Sequence, residues 1–167
     1  MQSSLLNRLG GLSLIIGGLY GVIWGFANVI PSVLVIFGLV ILHKNQSKEA
    51  GLLGRIGIII AVIGCLLNAS IEIMRWLPRM NLKVPTFQVL FVSGLFVIGI
   101  LLYAIATNRA KIYPNWGSWL LMVGVVLMPL LGSLGGLIVG LGFIVLGFTL
   151  VRGKFLRDEN QEYAFIE

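Results

Sequence analysis

Two long uncharged runs restrict what this chain can fold into. The first extends from Leu9 to Leu42, 34 residues, and the second from Ile112 to Val151, 40 residues. A bilayer core is ~30 Å thick, and a helix needs ~20 apolar residues to cross it, with ~17 as the low end. A single helix over the first run would measure about 51 Å at ~1.5 Å per residue, far more than one crossing. Two short helices with a tight turn fit better. Asn28 and Pro31 supply a turn signal near the middle of the first run. Pro129 and the stretch Gly132-Ser133-Leu134-Gly135-Gly136 do the same for the second. Two ordinary apolar segments lie between the runs, and the two prolines and three bases of residues 75–85 prevent one continuous helix there.

The expected fold is therefore an all-α integral membrane protein, a bundle of six transmembrane helices at about 9–27, 30–43, 52–74, 87–107, 116–131 and 134–152. These make one polytopic domain, residues 1–156, followed by a short polar tail, 157–167. Composition agrees: 58% of residues are apolar and 11% charged, against ~45–50% and ~25% in soluble domains. The first apolar run is too long for a signal peptide and has no A-x-A site to close it.

The positive-inside rule places Lys and Arg on the cytoplasmic side. With six spans, Arg8, Lys44, Lys48, Arg55, Arg109, Lys111, Arg152, Lys154 and Arg157 share one side, and Arg75, Arg79 and Lys83 the other. Four spans would set the clusters at 44–55 and 109–111 on opposite sides and weaken that bias. Both termini are expected to be cytoplasmic. Trp24, Trp76, Trp116 and Trp119 fall near helix ends, where amphipathic rings favour the interface. The net charge of +6 is explained by this topology, with no nucleic acid implied. In size and hydropathy the chain resembles the small multi-spanning proteins of bacterial cytoplasmic membranes, a likeness that carries no functional residue across.

An internal repeat is legible. The odd helices open on Arg8-Leu9-Gly10, Arg55-Ile56-Gly57 and Asn115-Trp116-Gly117, and seven residues after each glycine comes Gly17, Gly64 or Gly124. The even helices end near Gly38, Gly99 and Gly147, each followed by a base. The reading is three tandem helical hairpins. Within them, Ser13, Gly17, Gly21 and Gly25 recur every fourth residue, as do Gly132, Gly136 and Gly140. Four residues advance ~400° on a helix, so each set lies on one face, the small-xxx-small pattern of closely packed membrane helices. Such faces serve packing within the bundle, a homo-oligomer or another membrane protein.

Candidate chemistry is sparse. Cys65 is the only cysteine and His43 the only histidine, which fits a core filler and a helix-end residue better than a thiol relay or a metal site. No cofactor or metal is implied. Glu72 is the one acid inside an expected span. Only 16 uncharged residues, Ile56–Ile71, separate it from Arg55, about 24 Å of helix, so it sits about a turn inside the interface. Asn68 at i−4 and Arg75 at i+3 share its face. Aligning the repeats puts Asn68 and Glu72 where the first helix has Gly21 and Gly25, so the carboxylate is expected to point into the bundle. Asn68, Glu72 and Arg75 form the candidate polar site, either a structural pair or a place for a proton, a cation or a cationic substrate. Trp76, Leu77, Met80 and Leu82 could lay the loop after it on the outer leaflet or against a partner. With no catalytic motif, the expected function is that of an accessory, scaffold or regulatory membrane component. The alternative is a small transporter or channel that uses Glu72 and Asn68.

Overall fold

A computed structural model describes residues 2–24, 26, 28–76 and 85–152. They form six helices and no strand: α1 (Gln2–Trp24), α2 (Val29–Gln46), α3 (Gly51–Trp76), α4 (Thr86–Ala110), α5 (Asn115–Leu131) and α6 (Ser133–Arg152). Five of them are long and apolar enough to cross a membrane, and α5 has 17 residues, at the short end of the ~17–25 that span. Their outward faces are apolar as well, with Leu52, Ile59, Leu66, Leu90, Phe91 and Leu130 among the large side chains left exposed. That surface is unfavourable in water and suits hydrocarbon. Length and surface together are consistent with a helical membrane bundle. The loop residues Leu77, Met80 and Leu82, together with Gly25 and the tail 157–167, lie outside the described residues.

The helices overrun the apolar runs at their charged ends. α1 begins at Gln2 instead of residue 9, and α2 continues to Gln46 instead of stopping at 43. Hydropathy marks where lipid would end, but helical hydrogen bonding goes on until a breaker stops it, and neither segment has a Gly or Pro. At its other end α1 stops early, at Trp24. The Asn28 side-chain amide donates to the Trp24 carbonyl and so closes α1, while its own extended backbone starts α2. The Ser32 hydroxyl lies 2.8 Å from the Asn28 carbonyl and 3.2 Å from that of Phe26. This turn carries Phe26 inward, where its ring meets Phe96 of α4 and Phe143 of α6 at centroid distances of 6.3 and 5.8 Å. The turn between α5 and α6 is tighter still. Gly132 takes φ 54°, a left-handed value that glycine adopts without strain, and its N–H donates to Met128.

Each helix packs on the next, and α6 returns to α1, so the six close into a ring. The contacts are heaviest within α1–α2, α3–α4 and α5–α6 and along α1–α6. They are lighter at α2–α3 and α4–α5, so the α3–α4 pair is joined to the other four helices by two thinner seams. Leu14, Leu39, Ile100, Leu121, Phe143 and Leu146 fill the centre with no exposure.

Glycines set how closely the helices approach. Gly10 and Gly17 face Ile41 and Leu34 of α2; Gly57 and Gly64 lie against the Tyr103 and Phe96 backbone of α4; Gly117 and Gly124 face Leu146 and Val139 of α6. These six are the glycines that open the three repeats, and each faces the second helix of its own pair. The α1–α6 seam is built differently, with Gly11 against Gly147 and Gly18 against Gly140, backbone to backbone.

Candidate functional site

The two ends of the bundle carry different chemistry. At the end where α2 finishes and α3 begins, neutral polar side chains interlock in the interior. The Asn45 amide donates to Asn7 of α1 at 2.9 Å. The Gln46 amide donates to the Thr107 hydroxyl of α4 at 2.8 Å, and that hydroxyl donates to the Tyr103 carbonyl at 2.9 Å. Gln46, Tyr103 and Thr107 are fully buried. The Tyr103 hydroxyl faces Gln46 and Thr107. The Tyr113 phenol, in the turn after α4, faces Asn45, and burial pushes it well above the ordinary tyrosine range against the opposing influence of that side chain. The His43 ring stands 6.0 Å from that of Tyr103. This network ties α1, α2, α4 and the 111–114 turn together without using a charge.

At the opposite end, where α1 and α3 finish, there is a cavity of about 700 Å³. It is lined by Tyr20 and Trp24 of α1, Asn28, Val29 and Ile30 at the start of α2, and Glu72, Ile73 and Trp76 of α3. Tyr20 and Trp24, one turn apart, lie with ring centroids 4.4 Å apart and planes 30° apart. Glu72 and Trp76 are likewise i and i+4 on α3, and the indole N–H donates to Glu72 Oε1 at 3.0 Å. Glu72 Oε2 meets Arg75 at 3.5 Å, a long single contact. The carboxylate side chain is 18% exposed and that of Arg75 49%, so the acid is sheltered while its cationic partner stays largely outside. Among the described residues Glu72 is the only acid within a helix.

Of the residues singled out from sequence, Glu72 and Arg75 come together as a pair, and Glu72 enters the cavity wall. Asn68 is half-buried one turn deeper and does not line the cavity. Ser13 is buried, Gly17 abuts α2, and Gly21 lies against the Phe26 ring. The stripe expected on α6 divides: Gly140 touches Gly18, nothing stands within 4 Å of the place a side chain would take at Gly136, and Gly132 is the exposed turn residue. Gly132 leaves the stripe because α6 starts at Ser133, so the spacing of four runs off the helix at its first member. Cys65 is buried in the core, and the described residues hold no group of three or more His, Cys, Asp or Glu arranged for a metal ion.

Sequence reasoning missed both the Gln46–Thr107–Tyr103 network and the aromatic wall of the cavity. The first is made of isolated neutral residues whose partners are distant in the chain. The second had a legible sign in the spacing of four between Tyr20 and Trp24 and between Glu72 and Trp76. Compared with known protein families, with curated proteins and with solved structures, the chain matches none of them.

Proposed function

We propose that this protein is a non-enzymatic component of a cell membrane, of the bacterial inner-membrane type, and works as an accessory or regulatory subunit through the cavity between α1 and α3. In this reading the six helices all span the bilayer as three tandem hairpins, with both termini cytoplasmic. The cavity end then faces outward. The observation that carries the proposal is the cavity itself: about 700 Å³, within the ~300–1,000 Å³ of small-ligand sites, with the one helical acid of the described residues in its wall. The three pairs of repeat glycines support the hairpins, since each pair faces its own partner helix. The charge distribution supports the orientation.

Reporter fusions at residues 47, 80 and 110 test the topology: 47 and 110 must share a side and 80 must lie opposite. For the function, the wild type and a cavity-filled Ile73→Trp variant are compared after purification in mild detergent. A stable, specific partner or ligand kept by the first and lost by the second supports the proposal. A second reading, a small transporter or channel acting alone or as an oligomer, is favoured by the sheltered carboxylate with Asn68 one turn deeper. Solute uptake into liposomes that contain only this protein would replace the accessory reading with that one.

A further inference from the structure

We infer that the cavity takes a lipophilic organic cation, a quaternary ammonium or phosphonium group with an apolar body, held between the aromatic faces and the Glu72 carboxylate. This rests on the reading of the cavity as the working part of the molecule. Its wall is apolar except for Asn28, Glu72 and the polar tips of Tyr20, Trp24 and Trp76, so an apolar body can be buried there at no polar cost. Three aromatic residues line the same cavity as one anionic group, and ring faces attract cations, most strongly when water is excluded. A neutral ligand would leave the sheltered carboxylate with no gain, and an anion would be repelled by it.

The pairing of Glu72 sharpens the assignment. Among the described residues, Oε1 receives only the neutral indole N–H of Trp76, and Oε2 has one contact to Arg75 at 3.5 Å. A half-exposed single contact of that kind is a weak ion pair. Arg75 is thus a competitor at the mouth of the site: it holds the carboxylate until a cation with apolar bulk displaces it. That arrangement gives the two members of the pair opposite effects on binding, whereas a purely structural pair would give them the same sign.

The same chemistry can come from a free lipophilic cation or from the choline headgroup of a lipid, and one experiment separates them. Tetraphenylphosphonium is titrated into the purified protein in maltoside micelles with tryptophan fluorescence as the readout. Neutral triphenylphosphine oxide is the control, and diheptanoylphosphocholine the competitor. Saturable binding of the phosphonium is expected, with Glu72→Gln weaker by roughly tenfold or more and Arg75→Gln tighter by about two- to fivefold. Trp24→Leu, which leaves the ion pair intact, should weaken binding by about fivefold and serves if Glu72→Gln does not fold. Displacement by the phosphocholine assigns the site to a lipid headgroup; failure to displace assigns it to a free cation. If the neutral oxide binds as tightly and Glu72→Gln changes nothing, the cavity remains a binding site and the cationic class is wrong. If neither compound binds saturably, and Ile73→Trp behaves as the wild type, the cavity reading falls as well.

Discussion

The two ends of the bundle solve the same problem in opposite ways. At the Gln46 end, side-chain hydrogen bonds run from α2 to α1 and from α2 to α4, the second of them fully buried. At the Glu72 end, α1 and α3 part around a cavity, and among the described residues the acid there is paired only within its own helix. A polar group that bonds across helices fixes their relative position, and one that bonds within its own helix leaves that position free. The α3–α4 pair is therefore pinned to the rest of the molecule at one end and loosely held at the other. The thinner seams at α2–α3 and α4–α5 fit the same description.

Substitutions at the two ends should expose this asymmetry, the largest effect first. A side chain at Gly11 would collide with the Gly147 carbonyl, so Gly11→Leu must push α1 from α6, and overpacking typically costs ~1–3 kcal/mol or more. Gly136→Ala, near the other end of α6, meets nothing within 4 Å and should be neutral or slightly stabilising through helix propensity. Thermal unfolding in detergent compares them, and equal losses would refute the contrast in packing. Gln46→Ala should cost ~1–3 kcal/mol by leaving the buried Thr107 hydroxyl without its donor. The double variant Gln46→Met with Thr107→Val removes both partners and should recover much of that loss. A double variant no better than the single one would mean the network is not the fastening it resembles.

The Tyr113 phenol, pushed up by burial, adds a pH signature to the pinned end. Its folded pKa lies above its unfolded value, near ~10. Its contribution to stability is therefore full below that pH and is lost as pH rises above it toward the folded value. Tyr113→Phe should make stability less steeply dependent on pH above ~10, and an unchanged slope would remove Tyr113 from the account. The smallest effect belongs to Glu72→Gln. It removes a half-exposed, single-contact ion pair worth ~0–1 kcal/mol and keeps an oxygen to accept from Trp76, so a shift in unfolding much larger than this would show the open end to be structural after all.

How far these contrasts could be read from sequence depends on distance along the chain. The turn at Asn28 was legible because Asn28 and Pro31 lie three residues apart within an over-long apolar run. The repeat glycines were legible because their spacing is local, and their partners are simply the next helix. Glu72 stood out because one acid in an apolar span needs a reason. Gln46 and Thr107 are 61 positions apart, and each alone looks like an ordinary polar residue near a helix end. The aligned repeats set Glu72 on the stripe where α1 carries Gly25, but the stripe could not show that a cavity would lie beside it. That cavity is walled by residues of α1, the start of α2 and the end of α3, which are distant from one another in the chain. Gly132 was misplaced for the reverse reason: a spacing rule was carried past the point where its helix begins.

The α1–α6 seam has a consequence for how the ring is made. A chain that leaves the ribosome from its N-terminal side has α1 in place long before α6 exists. The α3–α4 pair, neighbours in sequence, can settle as soon as both have emerged. Gly11 and Gly18, whose partners are Gly147 and Gly140, must wait for α6. Until then α1 offers a bare glycine face to whatever lies beside it, so the arrival of α6 is the step that shuts the ring. Lengthening the α5–α6 turn would delay that step without touching either face, and would prolong the interval in which an unfinished copy is open to insertion factors, proteases or another copy of itself.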